Sequence, residues 1–145
     1  MSNRDITLYI GDIFIAIDKI KRYTAQYNNG NELLSNELSW DGAIRELEVI
    51  GEATKRLLQK SMLSEKKYRR IVDFRNQINH GYFGIDEDIV WDVIQHKLDE
   101  YEQDLNELII SSNIDLIKII TMLKEEHTQQ KYVLEFLEQL EKEYK

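Results

Sequence analysis

The chain has 145 residues, 42% of them hydrophobic, with no cysteine and no proline. That length is one domain's worth and can bury a single core without crosslinks; the missing cysteines exclude disulfides, thiolate zinc sites and a cysteine nucleophile, and point to a reducing cytoplasm. The formal net charge is −8, yet residues 55–85 carry 8 basic and 2 acidic side chains, a +6 segment in a chain otherwise at −14. Such a segment attracts phosphate while the remainder repels it, and a solvated basic helix face gives the same count.

Arg4, Asp5, Asp12, Asp18 and Lys19 interrupt the first twenty residues, a pattern of neither a signal peptide nor a membrane span, so a soluble chain is expected. Ile6, Ile10, Ile13, Phe14, Ile17 and Ile20 recur every three or four positions and predict a first long helix. From Tyr27 to Ser39 the period is lost among asparagines, which predicts a loop ending near a capping Ser39 or Asp41. A second helix follows through Ile44, Leu47, Ile50, Thr54, Leu57 and Leu58. Gly51 inside it either admits a neighbouring helix or is a tolerated weak spot costing roughly 1 kcal/mol against Ala.

Ser64 caps a third predicted helix that runs through Tyr68, Ile71, Val72 and Arg75 to about Asn79, where Gly81 and Gly84 end it. Asp86, Glu87 and Asp88 open the fourth, on the stripe Val90, Ile94, Leu98, Tyr101, Leu105 and Leu108. Beyond Ser111, the spacings Ile114, Ile117, Ile120, Leu123 and Val133, Phe136, Leu137, Leu140, Tyr144 predict one or two more amphipathic helices. The expected architecture is all-α: a single domain over 1–145, four main helices in a core of about 5–110, and a helical extension over 111–145.

Projected at 100° per residue, Tyr68, Ile71, Val72, Arg75, Ile78 and Asn79 share an arc of about 120°. Arg75 therefore lies on the apolar face, where a guanidinium is expensive unless paired or open to a cleft. Lys66, Lys67, Arg69 and Arg70 fall outside the arc. Two readings of Arg75 stay open: an ion pair with Glu52 or Glu48, or a functional cation. His80 follows five residues later, about 140° around a continuing helix, and converges with Arg75 only if the chain turns back. At a helix C-terminus it is either a cap or a proton donor favoured in its charged form by the dipole. His96 and His127 lie in polar contexts and read as surface residues.

The string Arg75-Asn76-Gln77-Ile78-Asn79-His80-Gly81-Tyr82 resembles the Arg-x4-His-x-Tyr motif of the HepT toxins, a branch of the HEPN superfamily. The run Ile44 to Ala53 resembles that family's second helix, and His80 to Asp86 with Ile89 to Asp92 its motif loop and following helix, so the likeness covers roughly residues 5–110. The chain departs from the family in lacking a proline loop before the third helix and in its longer tail. The resemblance implies an up-and-down HEPN-type bundle and a homodimeric, metal-independent endoribonuclease that uses no cofactor and belongs to a type VII toxin–antitoxin pair. Catalysis then falls to the motif residues Arg75, His80 and Asn76, with Glu52 and Asn79 as support or ion-pair residues, and Lys66, Lys67, Arg69 and Arg70 of the basic segment as the RNA contacts. The resemblance further implies that a small nucleotidyltransferase antitoxin transfers AMP onto Tyr82. The acidic C-terminal third would either hold that partner or keep the chain soluble. A non-catalytic HEPN accessory subunit, binding nucleotide or substrate for a nucleotidyltransferase, shares the same bundle. An adaptor docking through its C-terminal helices would depend on the stripe Val133 to Tyr144 more than on His80.

Overall fold

The computed structural model describes residues 4–80 and 85–145, with the backbone alone at 79 and 80. Among these residues every regular element is helical. Helix α1 spans Leu8–Thr24, α2 Gly30–Ser35, α3 Glu37–Gln59 and α4 Glu65–His80. Helix α5 (Glu87–Asp92) continues through a π-helical turn, Val93–Lys97, into α6 (Leu98–Ser111), and α7 (Leu116–Glu126) and α8 (Lys131–Tyr144) complete the chain. None of these helices is long and apolar enough to cross a membrane.

The core forms where the helical period says it should. Ile10, Ile13, Phe14, Ile17 and Ile20 of α1 are completely or almost completely buried, and α3 meets them with Ala43, Leu47, Ile50 and Leu57. Each such aliphatic side chain contributes roughly 1.5–3 kcal/mol by leaving water. Helix α3 packs against both α1 and α4. The C-terminal helices are part of the same core: α7 and α8 pack on α1 and on each other, burying Leu116, Ile119, Ile120, Leu123, Val133, Leu137 and Leu140. At Gly11 a Cβ would lie 2.2 Å from Leu123 Cδ1, so any side chain there would force Leu123 of α7 to move. Arg4 fastens the N-terminal strand of chain to this half, bonding Asp12 of α1 at 2.6 Å and Glu126 of α7 at 2.8 Å.

Three expectations are corrected. The segment Tyr27 to Ser39 is not an unbroken loop but contains α2. Asn29 accepts the Glu32 N–H at 2.8 Å, and Glu32 reaches back to the Asn28 N–H at 2.6 Å, a reciprocal arrangement resembling a capping box. Helix α3 then starts at Glu37 under the cap Asn36, ahead of Ser39 and Asp41, with Asn36 Oδ1 accepting the Ser39 N–H at 3.0 Å. On α6 the buried stripe ends at Ile109, with Leu108 half-buried beside it. Leu98, Tyr101 and Leu105 are buried as expected, so the difference is confined to the last turn of the helix. In α7 the buried positions are Leu116, Ile119, Ile120 and Leu123, because the helix starts only after its cap Asp115 and Ile114 and Ile117 are left half-buried.

Candidate functional site

Helix α4 starts where Ser64 Oγ accepts the Lys67 N–H at 3.3 Å and runs to His80, one residue past the expected end. Tyr68, Val72 and Ile78 are its buried anchors. Its approach to α3 is set by Gly51, where a Cβ would lie 2.3 Å from Arg75 Cβ and 2.6 Å from Arg75 Cγ. These are atoms at the root of a side chain and cannot swing aside. The glycine is therefore a close-approach position, and the residue it admits is the anomalous arginine.

Drawn against α3 in this way, Arg75 is 26% exposed, and its Nη2 forms an ion pair with Glu52 Oε2 at 3.2 Å. Glu52, not Glu48, is thus the ion-pair partner. The other oxygen of the same carboxylate faces Arg56 Nη2, one turn along α3, at 3.3 Å, so Glu52 lies between two guanidinium groups, one from each helix. Arg75 Nη1 donates to Asn76 Oδ1 at 3.2 Å, and Arg75 Nε is buried with no hydrogen-bond partner among the described residues. A guanidinium pinned on one edge by a carboxylate holds its fork in a fixed plane, and its remaining donors suit a phosphate oxygen. Arg56 escapes sequence reasoning because it occupies an ordinary exposed helix position; its i,i+4 spacing from Glu52 is the available signal.

The structure thus brings together Arg75, Asn76 and Glu52. Asn79 and His80 lie one turn further on in the same helix, their side chains outside the description, and Gly81, Tyr82 and Gly84 lie outside the described residues altogether. The four N-terminal cations of α4 are exposed but not equivalent. Lys67 is bound to Asp104 at 2.9 Å, and Arg69 lies 3.3 Å from Glu65 and 4.0 Å from Asp73 on its own helix. Lys66 and Arg70 have no ion-pair partner among the described residues. Helical geometry points Lys66, Arg69 and Arg70 at least about 120° around the axis from Arg75, so they do not surround its guanidinium.

The opposite flank of α4 is joined to α6 by a polar latch. Tyr68 donates its hydroxyl to Asp104, which also binds Lys67, and the Tyr68 and Tyr101 rings lie 5.2 Å apart. Behind them Tyr101 and Thr54 hydroxyls meet at 2.8 Å, linking α6 to α3. Burial pushes the Asp104 carboxyl up, but the bonds from Tyr68 and Lys67 outweigh it and hold it below the ordinary carboxylate range. Burial and the same carboxylate push the Tyr68 hydroxyl up, and burial does so for Tyr101, keeping both phenols neutral donors at physiological pH.

The comparisons with known proteins agree with one another. Residues 13–108 match the family described as "Ribonuclease HepT-like". A protein named "Putative RNase MJ0125" from Methanocaldococcus jannaschii is 28% identical over 111 residues, covering 75% of this chain and 95% of the relative. "Putative RNase MJ1380" of the same organism is 26% identical over 107 residues, covering 72% and 97%. "Probable ribonuclease HepT" from Thermococcus cleftensis is 29% identical over 92 residues, covering 62% and 83%. No solved structure matches the chain significantly. With the family match running from within α1 to within α6, around the helix that carries Arg75 and the helix that braces it, the all-helical bundle is of the HEPN type and the chain belongs to the HepT-like ribonuclease family.

Proposed function

We propose that this protein is the ribonuclease toxin of a type VII toxin–antitoxin pair, cleaving RNA at a site built from Arg75, Asn76 and His80. The observation that carries the reading is the guanidinium of Arg75, drawn against Gly51, paired with Glu52, bonded to Asn76 and still partly exposed. Family membership and relatives named as RNases support the same chemistry. In the proposed reaction the ribose 2'-oxygen attacks the adjacent phosphorus and the bond from phosphorus to the 5'-oxygen breaks. One His80 takes the 2'-hydroxyl proton, a second imidazole returns a proton to the leaving oxygen, and Arg75 carries the charge that builds on the phosphoryl oxygens. One histidine cannot serve as base and acid in a single step. Positions 75 and 80 are also about 140° apart around one helix and about 7.5 Å along it. A homodimer solves both problems by facing Arg75 and His80 of one protomer with those of its partner.

AMP placed on Tyr82 by a nucleotidyltransferase antitoxin would add bulk and negative charge two residues from His80, where the substrate phosphate must come, and so block the site. The test is expression of the chain alone beside His80→Ala, followed by cleavage assays on purified protein in chelator. RNA decay that the variant abolishes and the chelator spares is expected. Intact RNA from folded protein whose mass shows an unmodified Tyr82 overturns the reading in favour of an accessory subunit. Mixed dimers with one His80→Ala protomer are expected to lose nearly all activity, and half-activity would rule out the shared site.

A further inference from the structure

Between α4 and the α5–α6 helix runs a groove of about 360 Å³ that the Arg75 site does not use. Its α4 wall is the ridge Lys67, Arg70, Ile71 and Phe74, and its facing wall is Ile89, Val93, Lys97 and Glu100. The groove is graded along its length. Phe74, adjacent to Arg75, lies with Ile71, Ile89 and Val93 in an apolar half beside the motif, and Ile89 is 54% exposed there. Arg70, Lys97 and Lys67 lie in the other half. Lys67 is neutralised by Asp104, which leaves Arg70 and Lys97 against the single carboxylate Glu100. The π turn makes this wall: at 4.4 residues per turn, Val93 and Lys97 fall on one line with Ile89, where a regular helix would carry Lys97 around toward solvent.

We infer that this groove is the track for single-stranded RNA leading away from the scissile phosphate, with an unpaired base against Phe74 and Ile89 and the next backbone phosphates at Arg70 and Lys97. The inference rests on the ribonuclease reading and deepens it by naming the substrate class. An aliphatic floor alone would suit a protein side chain equally well. The cations at one end, with Phe74 next to Arg75 in sequence and about 100° from it around α4, favour a polyanion carrying flat apolar groups, the combination by which proteins hold single strands. A base paired within a duplex has no exposed face to offer the apolar half, so the groove selects unpaired segments.

The experiment uses full-length protein in the cleavage-dead His80→Ala background and a fluorescein-labelled oligoribonucleotide of about twelve residues, single-stranded or annealed to its complement, with binding read by anisotropy. Phe74→Leu and the pair Arg70→Gln/Lys97→Gln are each expected to weaken single-strand binding about tenfold. The double variant also lowers the salt dependence, Glu100→Gln tightens binding, and the duplex binds more weakly throughout. Gln at these exposed positions leaves the core untouched, so the charge variants report even if Phe74→Leu misfolds. Unchanged binding, with unchanged cleavage when His80 is restored and loss of cleavage in Arg75→Lys, overturns the groove while leaving the ribonuclease standing. A wild-type chain that neither binds nor cuts the oligonucleotide overturns both. If the groove variants alter the sedimenting mass and not RNA affinity, the groove is an interface between copies and the inference fails.

Discussion

The two sides of α3 are built differently. On the α1 side, α1, α7 and α8 are dry and close, with glycine at the tightest point and a continuous run of buried Ile and Leu. On the α4 side, glycine again sets the approach, but what it admits is an arginine and not a methyl group. That guanidinium leaves a buried nitrogen without a partner among the described residues. Beyond it α4 meets α6 through a carboxylate, two tyrosines and an open groove. One half is arranged to be stable and the other to keep charges and apolar surface available. The proposed site and groove both draw on the less completely packed half, as expected where binding groups must remain unsatisfied until a ligand arrives.

This contrast can be broken experimentally, and the largest effect is expected at Arg75. Arg75→Lys keeps a charge near Glu52 but loses the fork, so RNA cleavage should fall about 10²- to 10³-fold. Thermal unfolding should shift by no more than about 1 kcal/mol. Equal losses of activity and stability would show that Arg75 is chiefly a structural ion pair. Leu137→Ala on the other side should do the reverse, costing about 3 kcal/mol in denaturant unfolding while cleavage per folded molecule is unchanged. Gly51→Ala is the sharpest intermediate case. Its helix-propensity gain of about 1 kcal/mol is set against overpacking of about 1–3 kcal/mol. The net stability change should be a loss of about 1 kcal/mol, with a disproportionate loss of cleavage because Arg75 itself is displaced.

The smallest effect is expected at the latch. Asp104→Asn removes the acceptor of Tyr68 and the partner of Lys67 and should cost about 1 kcal/mol at pH 7. The folded carboxyl is held below its ordinary value. Its contribution is therefore present above the unfolded pKa of about 3.9 and fades as the pH falls through the lower folded value. Melting temperatures of wild type and Asp104→Asn should accordingly converge as the pH drops below about 4. A gap that persists at low pH would assign the latch to packing of the two tyrosine rings.

The α1 side was the more legible in sequence because its information is periodic: a stripe of Ile and Phe has one physical reading at a spacing of three and four. The long helices, the Ser64 and Asp86 caps and the close approach at Gly51 follow from that kind of evidence. Short α2 was hidden because Asn28, Asn29, Asn31 and Asn36 carry turn chemistry and cap chemistry alike; Glu32, three residues after Asn29, was the discriminating sign. Of the site, an arginine on an apolar face pointed to Glu52 or Glu48, and Arg56 stood at i,i+4 from Glu52 on α3, but which carboxylate α4 meets and the groove beyond Phe74 depend on how separate helices lie together. No spacing within a single helix encodes that.

The π turn of α5–α6 makes this edge of the molecule separable from its core. A π turn is a helix carrying one residue more than its neighbours need, and the flanking segments keep the phase they would have in an uninterrupted α-helix. Deleting one residue within 93–97 should therefore leave Val90 and Tyr101 on their buried faces and close the helix into regular form, while rotating Lys97 out of line with Ile89 and Val93. The shortened helix would keep the same bundle with a blunter edge beside the motif.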